Sequence, residues 1–244
     1  MLKKTCGIGA VLAVGLALTL AGPAQAATTD AAGAPAEATI YVPSDFVAGL
    51  SDTRATGHYE VAGTGLHIWT EGATGTDKVA EYVATDIPLA DVGEPSLDYT
   101  ATDGATPPGF QLVVDFDGDG VADGILVGET VYGNDWWLSN GAAKFAKDAA
   151  PSHETGSGSS NHGTLDQWRA VFPEAEVQAF GFSLGSGVLG DGVLNAINFA
   201  GTHYTFAHIL DGKNECKAGG WATSTLPVFR NQGDCVSYFA TKKD

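Results

Sequence analysis

Between residues 39 and 210 the apolar residues come in short runs, each broken after a few positions by Gly, Asp, Pro or Thr, with no long helical period. Runs of strand length set between turn residues are the pattern of a β-sandwich or barrel. They cover His58 to Val61, Leu66 to Thr70, Val79 to Ala84, Phe110 to Phe116, Gly124 to Gly128, Val177 to Leu184, Val193 to Phe199 and His203 to Ala207. Phe180, Phe182 and Leu184 alternate with small or polar residues, as do Tyr204 and Phe206, so each such strand is expected to turn one face to a core. The 33 glycines argue further against an α/β fold. We expect an all-β chain, a jelly-roll or concanavalin-like β-sandwich with one or two short helices. Thr164 and Gln167 read as a capping box opening a helix over Leu165 to Phe172, stopped by Pro173, and a weaker helix is expected over Ala142 to Ala149.

Between two of the strand runs lies Asp115-Phe116-Asp117-Gly118-Asp119-Gly120-Val121-Ala122-Asp123. A hairpin needs only one Asp-Gly pair to supply positive φ, whereas four carboxylates within nine residues repel one another unless neutralised. Ca²⁺ takes six to eight hard oxygens, and a D-x-D-x-D-G-x-x-D loop delivers several from one segment. The expected ligands are the side chains of Asp115, Asp117, Asp119 and Asp123 with the carbonyl of Val121. The plain-turn reading stays open beside it. The loop departs from an EF-hand, because its twelfth position is Leu126 and both flanks read as strands.

Lys3 and Lys4, the apolar run Ile8 to Leu20 and Ala24-Gln25-Ala26 are the three parts of a secretory signal, so residues 1–26 are expected to be removed on export. Residues 27–38 read as a disordered lead-in, 39–210 as the sandwich and 211–244 as a separate tail. Loss of two lysines and no acid leaves 10 basic against 29 acidic residues. Such a surface repels phosphate backbones and anionic lipid, which argues against nucleic-acid and membrane-surface partners, and the apolar run Ile8 to Leu20 is too short for a permanent membrane anchor. Once Cys6 goes with the signal, Cys216 and Cys235 remain as an even pair in an oxidising compartment, where a disulfide is expected. Closing that loop of about 20 residues stabilises the tail by ~3 kcal/mol in the chain-entropy view.

Tyr132-Gly133-Asn134-Asp135-Trp136-Trp137 sets two indoles among amides and carboxylates, a mixture suited to stacking on sugar faces. Core packing is the competing reading, and adjacent strand residues point to opposite faces, which allows one Trp to be core and its neighbour exposed. Trp136, Trp137, Asn134 and Asp135 are the candidate ligand contacts. Enzyme motifs fare worse. Gly181-Phe182-Ser183-Leu184-Gly185 matches a nucleophile elbow, yet the glycine-rich Gly185 to Gly190 cannot open the helix that motif requires. The same glycines match a dinucleotide fingerprint without its βαβ unit. No residues are assigned as catalytic. His153 and His162 form the histidine pair of the Ser/Gly loop, and a solvated polar loop accounts for them.

Cys216-Lys217-Ala218-Gly219-Gly220-Trp221 and Pro227 to Tyr238, which includes Asn231-Gln232-Gly233-Asp234-Cys235-Val236-Ser237, resemble a C-x-x-G-G-W…N-Q-G-D-C-V-S tail of many secreted bacterial proteins. Ser51 to His58, the acidic loop, Tyr132 to Trp137 and Phe182 to Gly187 resemble uncharacterised exported proteins of high-GC Gram-positive bacteria. That resemblance implies export, a jelly-roll-like β fold and a cystine tail, and it carries no catalytic residue. The acidic loop is also similar to thrombospondin type 3 and dockerin calcium loops, which come in repeats where this chain has one copy. The combined expectation is a secreted, extracellular, calcium-stabilised, non-enzymatic binding or surface-associated module for a glycan or cell-wall polymer. A secreted polysaccharide hydrolase and a purely structural envelope protein are the alternatives.

Overall fold

A computed structural model describes residues 34–103, 106–155 and 160–241. The expected signal segment and most of the lead-in lie outside the described residues. Among the described residues twelve strands form two sheets. In the first, β11 (Gly190–Phe199) is central. β5 (Ser96–Asp103) pairs with it antiparallel along one side, while β3 (Gly65–Thr70) and β12 (Thr202–Ala207) share the other. β2 (Gly57–Ala62) extends β3, and β1 (Ala36–Tyr41) runs parallel to β12. The second sheet is antiparallel throughout. Its order is β4 (Lys78–Pro88), β10 (Glu176–Gly185), β6 (Gly109–Asp115), β7 (Gly124–Gly128), β8 (Asp135–Leu138) and β9 (His162–Thr164).

The chain is thus a β-sandwich, as its short alternating runs predict. Leu66 and Ile68 of β3, Phe110, Leu112 and Val114 of β6, and Phe180, Phe182 and Leu184 of β10 meet Leu194, Ile197 and Phe199 of β11 in one buried core. Phe180 and Phe199 stack across the two sheets with ring centroids 4.3 Å apart. Burying an aromatic ring of this size contributes roughly 1.5–3 kcal/mol. The capping box forms as read: the Thr164 hydroxyl accepts from the Gln167 amide and the Gln167 side chain accepts from the Thr164 amide, opening α2 (Leu165–Val171). Its Trp168 is fully buried and donates to the Trp136 carbonyl at 3.0 Å, which ties the helix to β8. α1 (Lys144–Asp148) falls inside the weaker helical expectation.

Three differences have local causes. β1 begins at Ala36, inside the segment read as disordered, because pairing with β12 orders residues whose composition alone buries nothing. β5, β8 and β9 lack a strand run in the sequence, since much of each is exposed or short. β10 was expected to bury one face only, yet Ala179, Gly181 and Ser183 on its other face are buried as well. Tyr82 of β4 and Gln111 of β6 flank Gly181 in register, and the Tyr82 hydroxyl donates to Gln111 Oε1 across it. A Cβ at Gly181 would lie 2.0 Å from the Glu81 carbonyl oxygen, so the crossing admits no larger residue.

The tail builds a small core of its own. Leu210, Cys216, Phe229 and Cys235 are buried together, with Trp221, Val236 and Phe239 against them. The Cys216–Cys235 disulfide is present, with Cα atoms 5.8 Å apart, and joins the segment before a 3₁₀ turn to α3 (Gln232–Thr241). This third helix has no counterpart in the sequence reading. No helix among the described residues is long and apolar enough to cross a membrane.

Candidate functional site

The acidic loop is the turn between β6 and β7, with Gly118 and Gly120 at φ 74° and 88°, backbone that favours glycine. Asp115 is fully buried at the end of β6. Its two carboxylate oxygens accept from the Gly118 amide at 2.8 Å and the Gly120 amide at 2.7 Å. Asp123 accepts from the Phe116 amide at 2.8 Å. The loop therefore folds around its own acids, and Asp115, Asp117 and Asp123 bring carboxylate oxygens within 4.8 Å of one another. Desolvation first, and then the charges of Asp119, Asp123 and Asp115, raise the Asp117 pKa above the ordinary carboxylate range. A cation would reverse that strain, and three converging carboxylates are hard donors of the kind a metal ion takes. Asp119 stands outside the trio, its carboxylate accepting from the Val121 amide at 2.8 Å. The Val121 side chain projects into solvent.

The aromatic candidates divide between two faces of β8. Trp136 points inward and is only 7% exposed, its ring flat on Gly128 and edge-on to Phe110 at 5.9 Å. Trp137 points outward and is half-buried, perpendicular to Tyr132 at 6.1 Å, and its Nε1 has no partner among the described residues. Asp135 is engaged by His162, whose Nδ1 lies 2.8 Å from Asp135 Oδ2. His153 turns instead to Asn161 at 3.1 Å, so the two loop histidines do not converge.

Asn134 and Trp136 line a cavity of about 340 Å³ between edge strand β5 of the first sheet and β6 to β8 of the second. Leu97, Tyr99, Phe110 and Pro108 supply its apolar walls, and Glu94, Ser96 and Glu129 its polar ones. The Tyr99 hydroxyl is buried with no partner among the described residues, and burial first, then the Asp191 charge, raises its pKa. Glu129 is pushed above the ordinary carboxylate range by burial, although a hydrogen bond with Tyr132 opposes the shift. Glu94 is largely exposed and reaches the Arg169 guanidinium at 3.3 Å. Sequence reasoning missed Tyr99, Phe110, Glu94 and Glu129 as a group, because β5 carries no strand signal and only the fold sets it opposite β6.

Ser183 occupies a through-running strand rather than a strand-to-helix elbow. It is 6% exposed, and its hydroxyl meets no base among the described residues. Gly185 to Gly190 joins β10 to β11 without a helix. No protein-family model matches this chain, and neither a curated protein nor a solved structure does.

Proposed function

We propose that the protein is a secreted, calcium-stabilised, non-enzymatic binding module whose ligand is a carbohydrate or cell-wall polymer. The observation that carries this reading is the cavity beside Trp136, where indole, phenol and phenyl rings meet an amide, a hydroxyl and two carboxylates. Sugars offer apolar C–H faces and a rim of hydroxyls, and a site that binds them combines flat rings with a few polar groups. Calcium enters as the cation of the β6–β7 turn. Asp115, Asp117 and Asp123 would hold it, and its role there is to neutralise the turn and fix its shape. Export is supported by the Lys3 to Ala26 segment and by the disulfide.

The hydrolase reading draws on one specific feature. Glu129, with its raised pKa, shares the cavity with Glu94, and glycoside hydrolysis uses one protonated and one ionised carboxyl group. Glu94 is largely exposed and meets Arg169 at the surface, whereas a glycosidase flanks the scissile bond with two firmly held carboxyl groups, which favours the binding reading. Co-sedimentation with insoluble polysaccharides and cell-wall preparations, combined with an assay for released reducing ends, separates the two. A binding module sediments with the polymer, releases nothing, and loses at least about tenfold in affinity in Asn134→Ala through one lost polar contact. Release of reducing ends that stops in Glu129→Gln would establish the hydrolase. Neither retention nor release on any polymer would remove both.

A further inference from the structure

On the opposite edge of the sandwich from the Trp136 cavity, Glu81 is a carboxylate facing inward. It sits between Val79, which belongs to the core, and Val83, which packs against it, and is only 2% exposed. The chain after β1 covers this edge: the Val47 amide donates to the Tyr82 carbonyl, Asp52 to Ala80 and Arg54 to Lys78. That segment brings the Ser51 hydroxyl and, at 2.6 Å, the Thr53 hydroxyl onto the two Glu81 oxygens. No lysine, arginine or histidine among the described residues pairs with it. The nearby Lys78 and Arg54 are both held by Asp52. A buried charge without a counter-charge is costly, and a carboxylate with two donors has acceptor capacity left.

The space in front of it is shaped. Glu81, Ser51 and Thr53 share a cavity of about 400 Å³ with Pro43, Phe46, Ala48 and Tyr59. Phe46 and Tyr59 stand perpendicular with ring centroids 5.5 Å apart, forming an aromatic corner beside the carboxylate. Burial first, then the Glu81 charge, raises the Tyr59 pKa, which keeps its phenol neutral and its ring face attractive to a cation. A hard metal ion is a poor occupant, since Ca²⁺ seeks six or more oxygens and four of the seven lining residues, Pro43, Phe46, Ala48 and Tyr59, present apolar or aromatic surface. We infer that this cavity binds an organic ammonium group, with Glu81 as counter-ion and Phe46 and Tyr59 as its cation–π walls. The inference stands apart from the sugar and calcium readings. An overall charge of −17 draws cations toward the protein as a whole, and the cavity adds the selectivity for an alkylated one.

The test is thermal unfolding in saturating calcium with n-butylammonium or tetramethylammonium chloride, against sodium chloride at equal ionic strength and against 1-butanol. The expected result is a saturable rise in Tm with an ammonium ion and none with sodium or the alcohol. In Glu81→Gln the apparent affinity should fall at least about tenfold, the loss of one charge-assisted contact. Tyr59→Leu, which leaves the carboxylate in place, should weaken the response and supplies the readout should Glu81→Gln not fold. Equal responses to ammonium and sodium in the wild type, or an ammonium response undiminished in a folded variant, would overturn the inference.

Discussion

Two acidic neighbourhoods flank the second sheet, and they solve the same electrostatic problem differently. At the β4 edge, acids brought from distant positions meet donors supplied by the protein. Asp77 is fully buried and accepts from the Thr74 amide at 3.0 Å, the Thr74 hydroxyl at 2.7 Å and the Thr56 amide at 3.3 Å. Asp52 takes Lys78 at 2.8 Å together with Arg54. At the β6–β7 turn the acids are neighbours in sequence, and their protein donors are backbone amides, with no cation among the described residues. The titration shifts follow. The Thr74 amide leads the contacts that hold the Asp77 carboxyl well below the usual range. Burial raises the Asp52 pKa, but hydrogen bonds from Lys78 and Arg54 outweigh it and the net shift is downward. Asp117 moves upward. Donors built into the fold make an acid structural, and carboxylates left to face one another make a place for a cation.

The largest expected effect tests that division directly. Calcium should raise the unfolding midpoint in a concentration-dependent way, as the fold gains about 2.7 kcal/mol of stability at a hundredfold excess over its dissociation constant. Asp117→Ala combined with Asp119→Ala should lower Tm in calcium and leave it little changed in chelator. Equal losses in both conditions would place the turn with the β4 edge, as carboxylates that serve the fold alone.

How much of this was legible in the chain depends on how local each feature is. The acidic turn is one contiguous segment, so its residues and its place between two strands could be read directly, as could the α2 capping box at Thr164 and Gln167. Which carboxylates converge was not legible, because Asp119 and its neighbours differ only in where the turn points them. The pairing of Trp136 and Trp137 on opposite faces follows from strand geometry, once β8 is known to be a strand. Both cavities escaped notice, since each is closed by residues far apart in sequence: Tyr99 with Trp136, and Phe46 with Tyr59 and Glu81. A faint signal existed for the second. Glu81 is the one acid within the apolar run Val79 to Ala84, where an uncovered charge has no reason to be.

A smaller effect sets the two neighbourhoods against pH. Asp77 and Asp52 have folded-state pKa values below those of the unfolded chain, so on acidification the unfolded state takes up protons first. The stability they contribute is therefore fully present above the ordinary carboxylate value of about 4. It is lost as pH falls below that value toward their folded pKa values. Urea unfolding between neutral pH and pH 3, performed in chelator, should show this acid limb in the wild type and a flatter one in Asp77→Asn. An acid limb unchanged in Asp77→Asn would assign the loss elsewhere and weaken the claim that built-in donors define the β4 edge.

The smallest effect removes charge from the comparison altogether. The Tyr82 hydroxyl donates to Gln111 on the face that also buries Ala80, Val113 and Ala179, and both residues are nearly inaccessible. Burial first, then the Asp52 and Glu81 charges, raise the Tyr82 pKa, so the hydroxyl remains a donor throughout the accessible range. Tyr82→Phe leaves the ring over Gly181 and strands one amide oxygen, at a cost of about 1–2 kcal/mol. Because the lost bond joins two neutral groups, that cost should be the same at pH 7 and pH 5, and the same in calcium and in chelator. A cost that changes with calcium would mean that β6, which carries both Gln111 and Asp115, transmits the state of the turn into the sheet. The two neighbourhoods would then be one coupled system, and the metal a regulator of the sheet as well as of its own loop.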